Sequence, residues 1–147
     1  MKDAAQHIRE LIDELLPSLA RIPAEKAATK PDPGEWSKKE LIGHLIDSAA
    51  NNHQRFVRAA QNLAADFPPY AQEAWVTVQG YQTMPWEELV ALWYAYNRHL
   101  CRVIANLPQE ALDNPCHVGL EEPVTLAFVV EDYVRHLRHH MGDLVER

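Results

Sequence analysis

The chain is poor in the features that mark disulfide-rich or membrane proteins. It has two cysteines, Cys101 and Cys116, too few for a disulfide framework or a four-thiolate metal site, so we expect buried thiols. No apolar run approaches the ~18–20 residues that span a bilayer. The N-terminal segment also lacks the apolar core of a signal peptide. These absences predict a cytoplasmic protein with no membrane partner.

Positive charge is scarce as well. The chain has 14 Lys and Arg residues against 21 Asp and Glu residues, a formal net charge of −7. Nucleic-acid binding depends on clustered positive charge, so we expect no nucleic-acid partner. The sequence also lacks a glycine-rich phosphate loop and a recognisable Ser-His-Asp arrangement.

The residues that are abundant are those of a soluble globular domain. The chain has 147 residues, of which 47% are hydrophobic and 24% charged, enough to form one substantial core. We see neither an internal repeat nor a change of composition along the chain, and therefore predict a single domain over residues 1–147.

Apolar residues recur at helical spacing in four stretches, which predicts an all-α fold, a four-helix bundle with long connections. The predicted helices cover residues 3–20, 37–63, 85–107 and 125–145. Pro17 is expected to end or kink the first helix near Leu16. The predicted core includes Ile8, Ile12, Leu45, Phe56, Leu89, Leu92, Trp93, Leu100, Tyr133 and Leu137.

A capping box sets the start of the second helix. Ser37 and Glu40 have the spacing at which the hydroxyl accepts from the third helical amide while the carboxylate reaches back. Trp36 is placed to pack against Leu41. Beyond the cap, a polar line borders the apolar stripe and faces either solvent or a pocket; it consists of His44, Ser48, Asn51 and Arg55.

Two connections are long. Residues 64–84 contain Pro68, Pro69 and Gly80, and we expect a loop there that acts as a lid or a binding segment. Within this segment, the pattern of Trp75-Val-Thr-Val78 is compatible with a short strand but is too weak to predict one. Residues 108–124 are expected to be irregular, with Thr125 as the cap of the last helix.

Three of the eight histidines fall within five residues of the last predicted helix. His136 and His140 are one turn apart, so both imidazoles can point into the same space, whereas His139 points to another side. With His44 from the second helix they would form a three-histidine set that leaves a coordination position for water or substrate. That open position is typical of catalytic metal sites.

The alternative interpretation is that these histidines are ordinary polar residues of helix surfaces. Neither His136 nor His140 belongs to an HExxH motif, since Leu137 follows His136. Asp47 and Asp143, each within one turn of a candidate histidine, can orient an imidazole or can be plain surface carboxylates. Spacing alone leaves both interpretations open.

Two sequence motifs resemble those of a known protein family. The segment Pro33-Gly-Glu-Trp36-Ser37-Lys-Lys-Glu40-Leu-Ile-Gly43-His44-Leu45-Ile-Asp47, followed by Tyr133-Val-Arg-His136-Leu-Arg-His139-His140-Met-Gly-Asp143-Leu, resembles the DinB/YfiT-like superfamily. The resemblance implies a four-helix bundle of up-down-down-up topology, often dimeric. It also implies a divalent metal ion, usually zinc or nickel, held by His44, His136 and His140. Asp143 stands where a Gln is frequent in that family, so the role of this position is not carried over.

The resemblance and the residues together give three hypotheses of function. The first is a metal-dependent S-transferase that uses a low-molecular-weight thiol, with Arg55 binding an anionic group of the thiol or of the other substrate. The second is a metal-dependent hydrolase with Asp47 as general base, a position we expect towards the outside of the bundle. The third is a non-catalytic bundle that binds a metal ion or small ligand.

Overall fold

The computed structural model describes residues 1–61 and 66–146, with the helical backbone alone for residues 145 and 146. Four long helices form the bundle: α1 (Lys2–Ala20), α3 (Lys38–Ala60), α5 (Trp86–Ala105) and α6 (Leu126–Glu146). Two shorter helices, α2 (Ala24–Ala28) and α4 (Gln72–Gln79), lie in the connections. The all-α four-helix prediction is confirmed.

The long helices pack in a ring. Helix α1 packs chiefly against α5 and α6, and α3 packs against the same two helices from the other side. The large side chains that fill the centre are fully buried, as their helical spacing predicts; they include Ile8, Ile12, Leu45, Phe56, Leu89, Trp93, Leu100, Tyr133 and Leu137. Leu92, which was predicted in the stripe of α5, is instead 45% exposed.

Helix α1 continues through Pro17 to Ala20, so Pro17 does not end the helix near Leu16, and the alternative expectation of a kink there stays a prediction. A proline removes one backbone hydrogen bond, but close to a helix end the tertiary contacts of the last turn can outweigh that loss. Leu19 provides such contacts, because its side chain is fully buried and its carbonyl accepts a hydrogen bond from Trp86 Nε1 at 3.0 Å.

The predicted capping box is confirmed at the start of α3. The Glu40 amide donates to Ser37 Oγ at 3.2 Å, and the Ser37 amide donates to Glu40 Oε2 at 2.9 Å. The helix ends at Ala60, and its predicted end at Leu63 lies outside the described residues. Trp36, expected against Leu41, places its ring 5.0 Å from the His44 ring between centroids.

The described part of segment 64–84 is mostly helical, so the prediction of a long loop is wrong there; residues 64 and 65 lie outside the described residues. Helix α4 contains Trp75-Val-Thr-Val78, which is therefore not a strand. A 3-10 turn follows at Tyr81–Thr83. Both elements pack against α3, next to the candidate site.

Segment 108–124 has more order than the sequence predicts. It contains a 3-10 turn at Gln109–Ala111, and strands β1 (Pro115–Cys116) and β2 (Val124–Thr125) pair antiparallel. The predicted cap of α6 is confirmed, because the Phe128 amide donates to Thr125 Oγ1 at 3.1 Å. The Phe67 amide donates to the His117 carbonyl at 2.8 Å and ties the two connections together.

Both cysteines are free and buried, as predicted. Within residues 1–61 and 66–146, none of the helices combines the length and the apolar character that crossing a bilayer demands. The single-domain organisation, the homodimer that the family resemblance implies for this chain, and the cytoplasmic location stay predictions.

Candidate metal centre

The facing surfaces of α3 and α6 bring three histidines together. His44 lies two turns into α3 and is fully buried, whereas His136 and His140 are half-buried on α6. One ring nitrogen from each residue lies within 4.8 Å of the other two. His44 Nε2 and His136 Nε2 are 3.2 Å apart. The three candidate ligands are thus in one place, while their role as ligands stays a prediction.

The cluster has dimensions that suit a metal ion. Zn–N bonds of about 2.0–2.1 Å at a tetrahedral angle separate two ligand nitrogens by about 3.3 Å, close to the distance between His44 and His136. Nδ1 of His44 and Nδ1 of His140 are buried and have no hydrogen-bond partner among the described residues. Nδ1 of His44 lies across the ring from Nε2, the atom that faces His136, so the fit to an ion rests on the Nε2 distance and not on this unpaired nitrogen.

The surroundings keep the three imidazoles neutral, the form in which histidine binds metals. Burial, with a smaller contribution from the neighbouring histidines, lowers the pKa of His44 to about 4. Burial and His140 lower the pKa of His136 to about 4, although Asp132 opposes the shift. Burial also lowers the pKa of His140. At neutral pH no proton has to be displaced from this cluster.

Neighbouring side chains fix the rings of the cluster. Ser48 Oγ lies 3.3 Å from His136 Nδ1, one turn beyond His44 on the same face of α3. The Trp36 ring covers the His44 ring. A hydrogen bond to the second ring nitrogen of a ligand orients the imidazole, and Ser48 can provide it for His136.

Asp143 lies beside the cluster, as its position one turn from His140 suggests. Its Oδ2 is 3.8 Å from His140 Nδ1, a distance that is too long for a hydrogen bond and that allows an ion pair only when His140 is protonated. His139 is exposed, yet it forms a second possible donor set with His140 and Asp143. The more buried set is the better candidate because its ligands come from two facing helices.

Asp47 is not towards the outside, as the sequence suggested, but 2% exposed. Its Oδ1 accepts hydrogen bonds from Tyr81 Oη at 2.6 Å and from the Gln79 side-chain amide. Burial raises the pKa of this carboxyl, and both hydrogen bonds oppose the shift. Asp47 therefore joins α3 to α4 and the 3-10 turn instead of orienting an imidazole.

Gly43 makes this junction possible. A Cβ at position 43 would lie 2.0 Å from Cδ2 of Tyr81, so the Tyr81 ring lies directly on the backbone of α3 beside His44. Sequence reasoning missed Tyr81 and Gln79, because both lie in the segment interpreted as a loop. The available signal was Gly43 itself, since a glycine inside a helix often marks a close packing contact.

Two cavities border the histidine cluster, one lined by His136 and the other by His140. One, of about 210 Å³, is the His136 cavity, lined by Ser48, Asn52, Arg55, Pro69, Tyr70, Gln72, Val118, Asp132, Tyr133 and His136. The other, of about 380 Å³, is the His140 cavity, lined by Gly34, Glu35, Trp36, Leu41, Gln72, Glu73, His140 and Asp143. Gln72, at the start of α4, borders both cavities.

Arg55 lies where its position on the polar line of α3 suggests, in the wall of the His136 cavity. Asp47 is absent from the lining of both cavities, whereas Glu73 and Tyr70, from the missed segment, are present. Tyr70 and Glu73 reach the cavities through tertiary packing, and no local sequence motif marks them.

The fold and the site define a class of protein: an all-α bundle in which two facing helices hold a buried three-histidine cluster of a size that accepts a metal ion. The chain belongs to the DinB superfamily, whose family model matches residues 7–144. The resemblance inferred from the two histidine motifs is confirmed.

Solved structures share the fold. YfiT from Bacillus subtilis superposes with a TM-score of 0.85 at 22% identity, covering 99% of this chain and 84% of that chain, and is described as having an unusual four-helix bundle topology. A mycothiol-dependent maleylpyruvate isomerase superposes with a TM-score of 0.78 at 15% identity, covering 97% of this chain and 59% of the other. At these identities the likeness shows the fold alone.

Sequence relatives include proteins named provisionally as metal-dependent hydrolases. One from Oceanobacillus iheyensis is 24% identical over 111 residues, covering 76% of this chain. The match spans 64% of that relative, slightly less than two thirds of its length. Another from Bacillus cereus is 22% identical over 139 residues, covering 95% of this chain and 80% of the relative.

Proposed function

We propose that this protein is a metal-dependent enzyme that joins a low-molecular-weight thiol to a second small substrate. The observation that carries the proposal is the pair of separate cavities, of which one is lined by His136 and the other by His140. A reaction between two substrates needs two binding spaces next to one reactive centre, whereas hydrolysis needs one such space and water.

The residues suit these tasks. His44, His136 and His140 are neutral donors that would hold a divalent ion, zinc or nickel. When bound, such an ion supplies Lewis acidity, which lowers the pKa of a thiol or of water. The larger His140 cavity would take the thiol, with Trp36 as an apolar wall. The smaller His136 cavity would take the electrophile.

The relatives agree with part of this proposal. One structural neighbour is named as mycothiol-dependent, so the fold is compatible with thiol chemistry. In the proposed reaction the thiol sulfur forms a bond to an electrophilic carbon, the leaving group departs with its electron pair, and the thiol proton passes to solvent. Because the thiol proton passes to solvent, the proposed reaction does not require a side chain that holds a proton between steps.

The second candidate is a metal-dependent hydrolase, which the names of the sequence relatives favour. A general base beside the site is then needed. Glu73 is a better candidate than Asp47, because it lines the His140 cavity whereas Asp47 bonds to Tyr81. Loss of ester or amide hydrolysis in Glu73→Gln, with metal content unchanged, would support the hydrolase.

The site itself is tested by the metal content of protein purified without an affinity tag. We expect stoichiometric metal in the natural chain and a large loss in His44→Ala, His136→Ala and His140→Ala. His139→Ala is the matched control, because His139 is adjacent but exposed. Unchanged metal in the three variants, or a loss confined to His139→Ala and Asp143→Ala, would reject the ligand assignment.

The reaction is tested with metal-loaded protein, chlorodinitrobenzene or chlorobimane as electrophile, and a panel of thiols. We expect turnover with at least one thiol and none after removal of the metal. Metal-loaded protein that turns over no thiol of the panel but hydrolyses esters would replace the transferase with the hydrolase. Metal binding without either activity would leave a non-catalytic metal-binding bundle.

A further inference from the structure

Arg55 is a half-buried cation in the wall of the His136 cavity. Among residues 1–61 and 66–146, its guanidinium has no hydrogen-bond or ion-pair partner. The more exposed Lys30, by contrast, pairs with Glu40 at 2.9 Å. None of the Arg55 nitrogens is among the fully buried polar atoms that lack a partner in the described residues, so water reaches the guanidinium. A ligand that enters the cavity can replace this water and accept hydrogen bonds from the five N–H donors.

The groups around Arg55 neutralise it only in part. The carboxylate of Asp132 lines the same cavity and favours the charged form of Arg55, but it is also bonded to Arg135 at 2.6 Å. Cys116 is buried, and burial raises the pKa of its thiol, so it remains uncharged at neutral pH. Burial likewise raises the pKa of Tyr70. Two cations, Arg55 and Arg135, therefore share the single carboxylate of Asp132, which leaves one positive charge in excess.

The neutral groups of the cavity complement an anion bound at Arg55. Tyr70 keeps its hydroxyl proton and can donate it, and the ring is held by the Trp75 ring at 5.1 Å between centroids. Ser48 and His136 line the same cavity. A ligand that binds Arg55 at one end therefore extends towards the histidine cluster at the other.

We infer that the His136 cavity binds a small carboxylic acid, whose carboxylate pairs with Arg55. This inference rests on the proposed function, in which the cavity holds the second substrate. A guanidinium matches a carboxylate with two parallel hydrogen bonds. A ligand with a single negative charge neutralises the excess positive charge of the cavity. A phosphate dianion would add a second negative charge, which the carboxylate of Asp132 would repel. At about 210 Å³ the cavity is smaller than the ~300–1,000 Å³ typical of pockets for larger ligands.

The test is calorimetric titration of the whole protein, with and without metal, using succinate, benzoate, methanesulfonate and inorganic phosphate as probes. We expect at least one carboxylate to bind saturably, and Arg55→Gln to weaken it by about 10- to 100-fold. Arg55→Lys should recover part of the affinity, because it restores the charge without the planar fork. The dependence on Arg55 is expected with and without metal.

Arg58→Gln is the matched control. Arg58 is on the same helix, three residues further on, and is exposed over the Phe67 ring at 5.2 Å, outside the cavity lining. The Arg58→Gln variant should bind the carboxylates as the natural protein does. Thermal unfolding of each variant verifies that it is folded.

Three results would overturn the inference: equal carboxylate affinity in Arg55→Gln and the natural protein, tighter binding of phosphate than of every carboxylate, or no saturable binding up to about 10 mM probe. Failure of the proposed function is seen separately. If carboxylates bind through Arg55 but no thiol is transferred, the anion site is supported and the transferase proposal is rejected. If thiol transfer occurs but carboxylate binding does not depend on Arg55, the transferase is supported and the anion site is rejected.

Discussion

The contact between Gly43 and Tyr81 predicts that adding one methyl group beside His44 will destabilise the protein. In Gly43→Ala, the new Cβ would lie 2.0, 2.3 and 2.7 Å from Cδ2, Cγ and Cε2 of the Tyr81 ring. Tyr81 is 3% exposed, so the ring has no open space into which it can move. The substitution should displace the ring and its hydrogen bond to Asp47.

The size of the effect follows from three contributions. A lost hydrogen bond to a charged acceptor costs about 1.5–3 kcal/mol, and overpacking of a core costs about 1–3 kcal/mol. In the opposite direction, alanine stabilises the interior of a helix by about 1 kcal/mol relative to glycine. We therefore expect Gly43→Ala to lower the free energy of unfolding by about 1.5–5 kcal/mol, and the midpoint of thermal unfolding by about 3–20 °C.

Urea unfolding of metal-free protein in the presence of a chelator measures this loss without the linkage to metal binding. The decisive comparison is a double-mutant cycle with Tyr81→Ala. Once the ring is gone, Gly43→Ala should be neutral or should stabilise the protein by up to about 1 kcal/mol. If Gly43→Ala costs as much in the Tyr81→Ala protein as in the natural chain, the packing argument is refuted.

Three further predictions concern the site and its neighbours. Because the pKa of His44 is about 4 in the folded chain and 6.5 as a free side chain, the unfolded chain binds more protons between these values. His44 alone should therefore cost metal-free protein about 2 kcal/mol of stability between pH 7 and pH 5 in urea titrations, and His136, whose pKa is also about 4, should add to this loss. The His44→Asn variant should lose less stability than the natural chain over the same pH range. Ser48→Ala should lower metal affinity by about 10-fold in a competition assay while leaving the fold intact, since it removes the group 3.3 Å from His136 Nδ1; equal affinity would rule out an orienting role. Tyr133→Phe should cost about 1–3 kcal/mol in urea, because it removes the buried 2.6 Å hydrogen bond to Asn97 Oδ1, and a change below about 0.5 kcal/mol would show that Asn97 finds another partner.

The parts of the fold that local chemistry specifies could be predicted from the sequence. The capping box at Ser37 and Glu40 fixes the start of α3, and the cap at Thr125 fixes the start of α6. Because both starts are set by local motifs, the helical faces that carry His44, His136 and His140 follow from the 3.6-residue period. The contact between these two faces, however, depends on how α3 packs against α6. Local motifs do not specify that packing, and the family resemblance implies it.

Helix α4 could not be predicted because its stability is tertiary. Its eight residues include Val76, Thr77 and Val78, which have only modest helix propensity, and no side chain caps its start. A helix of that length is marginal by itself. What holds it in place is the burial of Val76 and the hydrogen bond from Gln79 to Asp47.

The same dependence explains why the chemistry of the site was harder to predict than its histidines. The walls of the two cavities are completed by Tyr70, Gln72 and Glu73, which reach the cluster only because α4 docks on α3. Asp47 is the residue that makes this docking specific, since Oδ1 accepts from both Tyr81 and Gln79. The motif that contains His44 thus has two separate physical tasks. His44 faces α6 and forms the cluster, whereas Gly43 and Asp47, to one side of His44 on α3, contact Tyr81 and fix the segment that encloses the cluster.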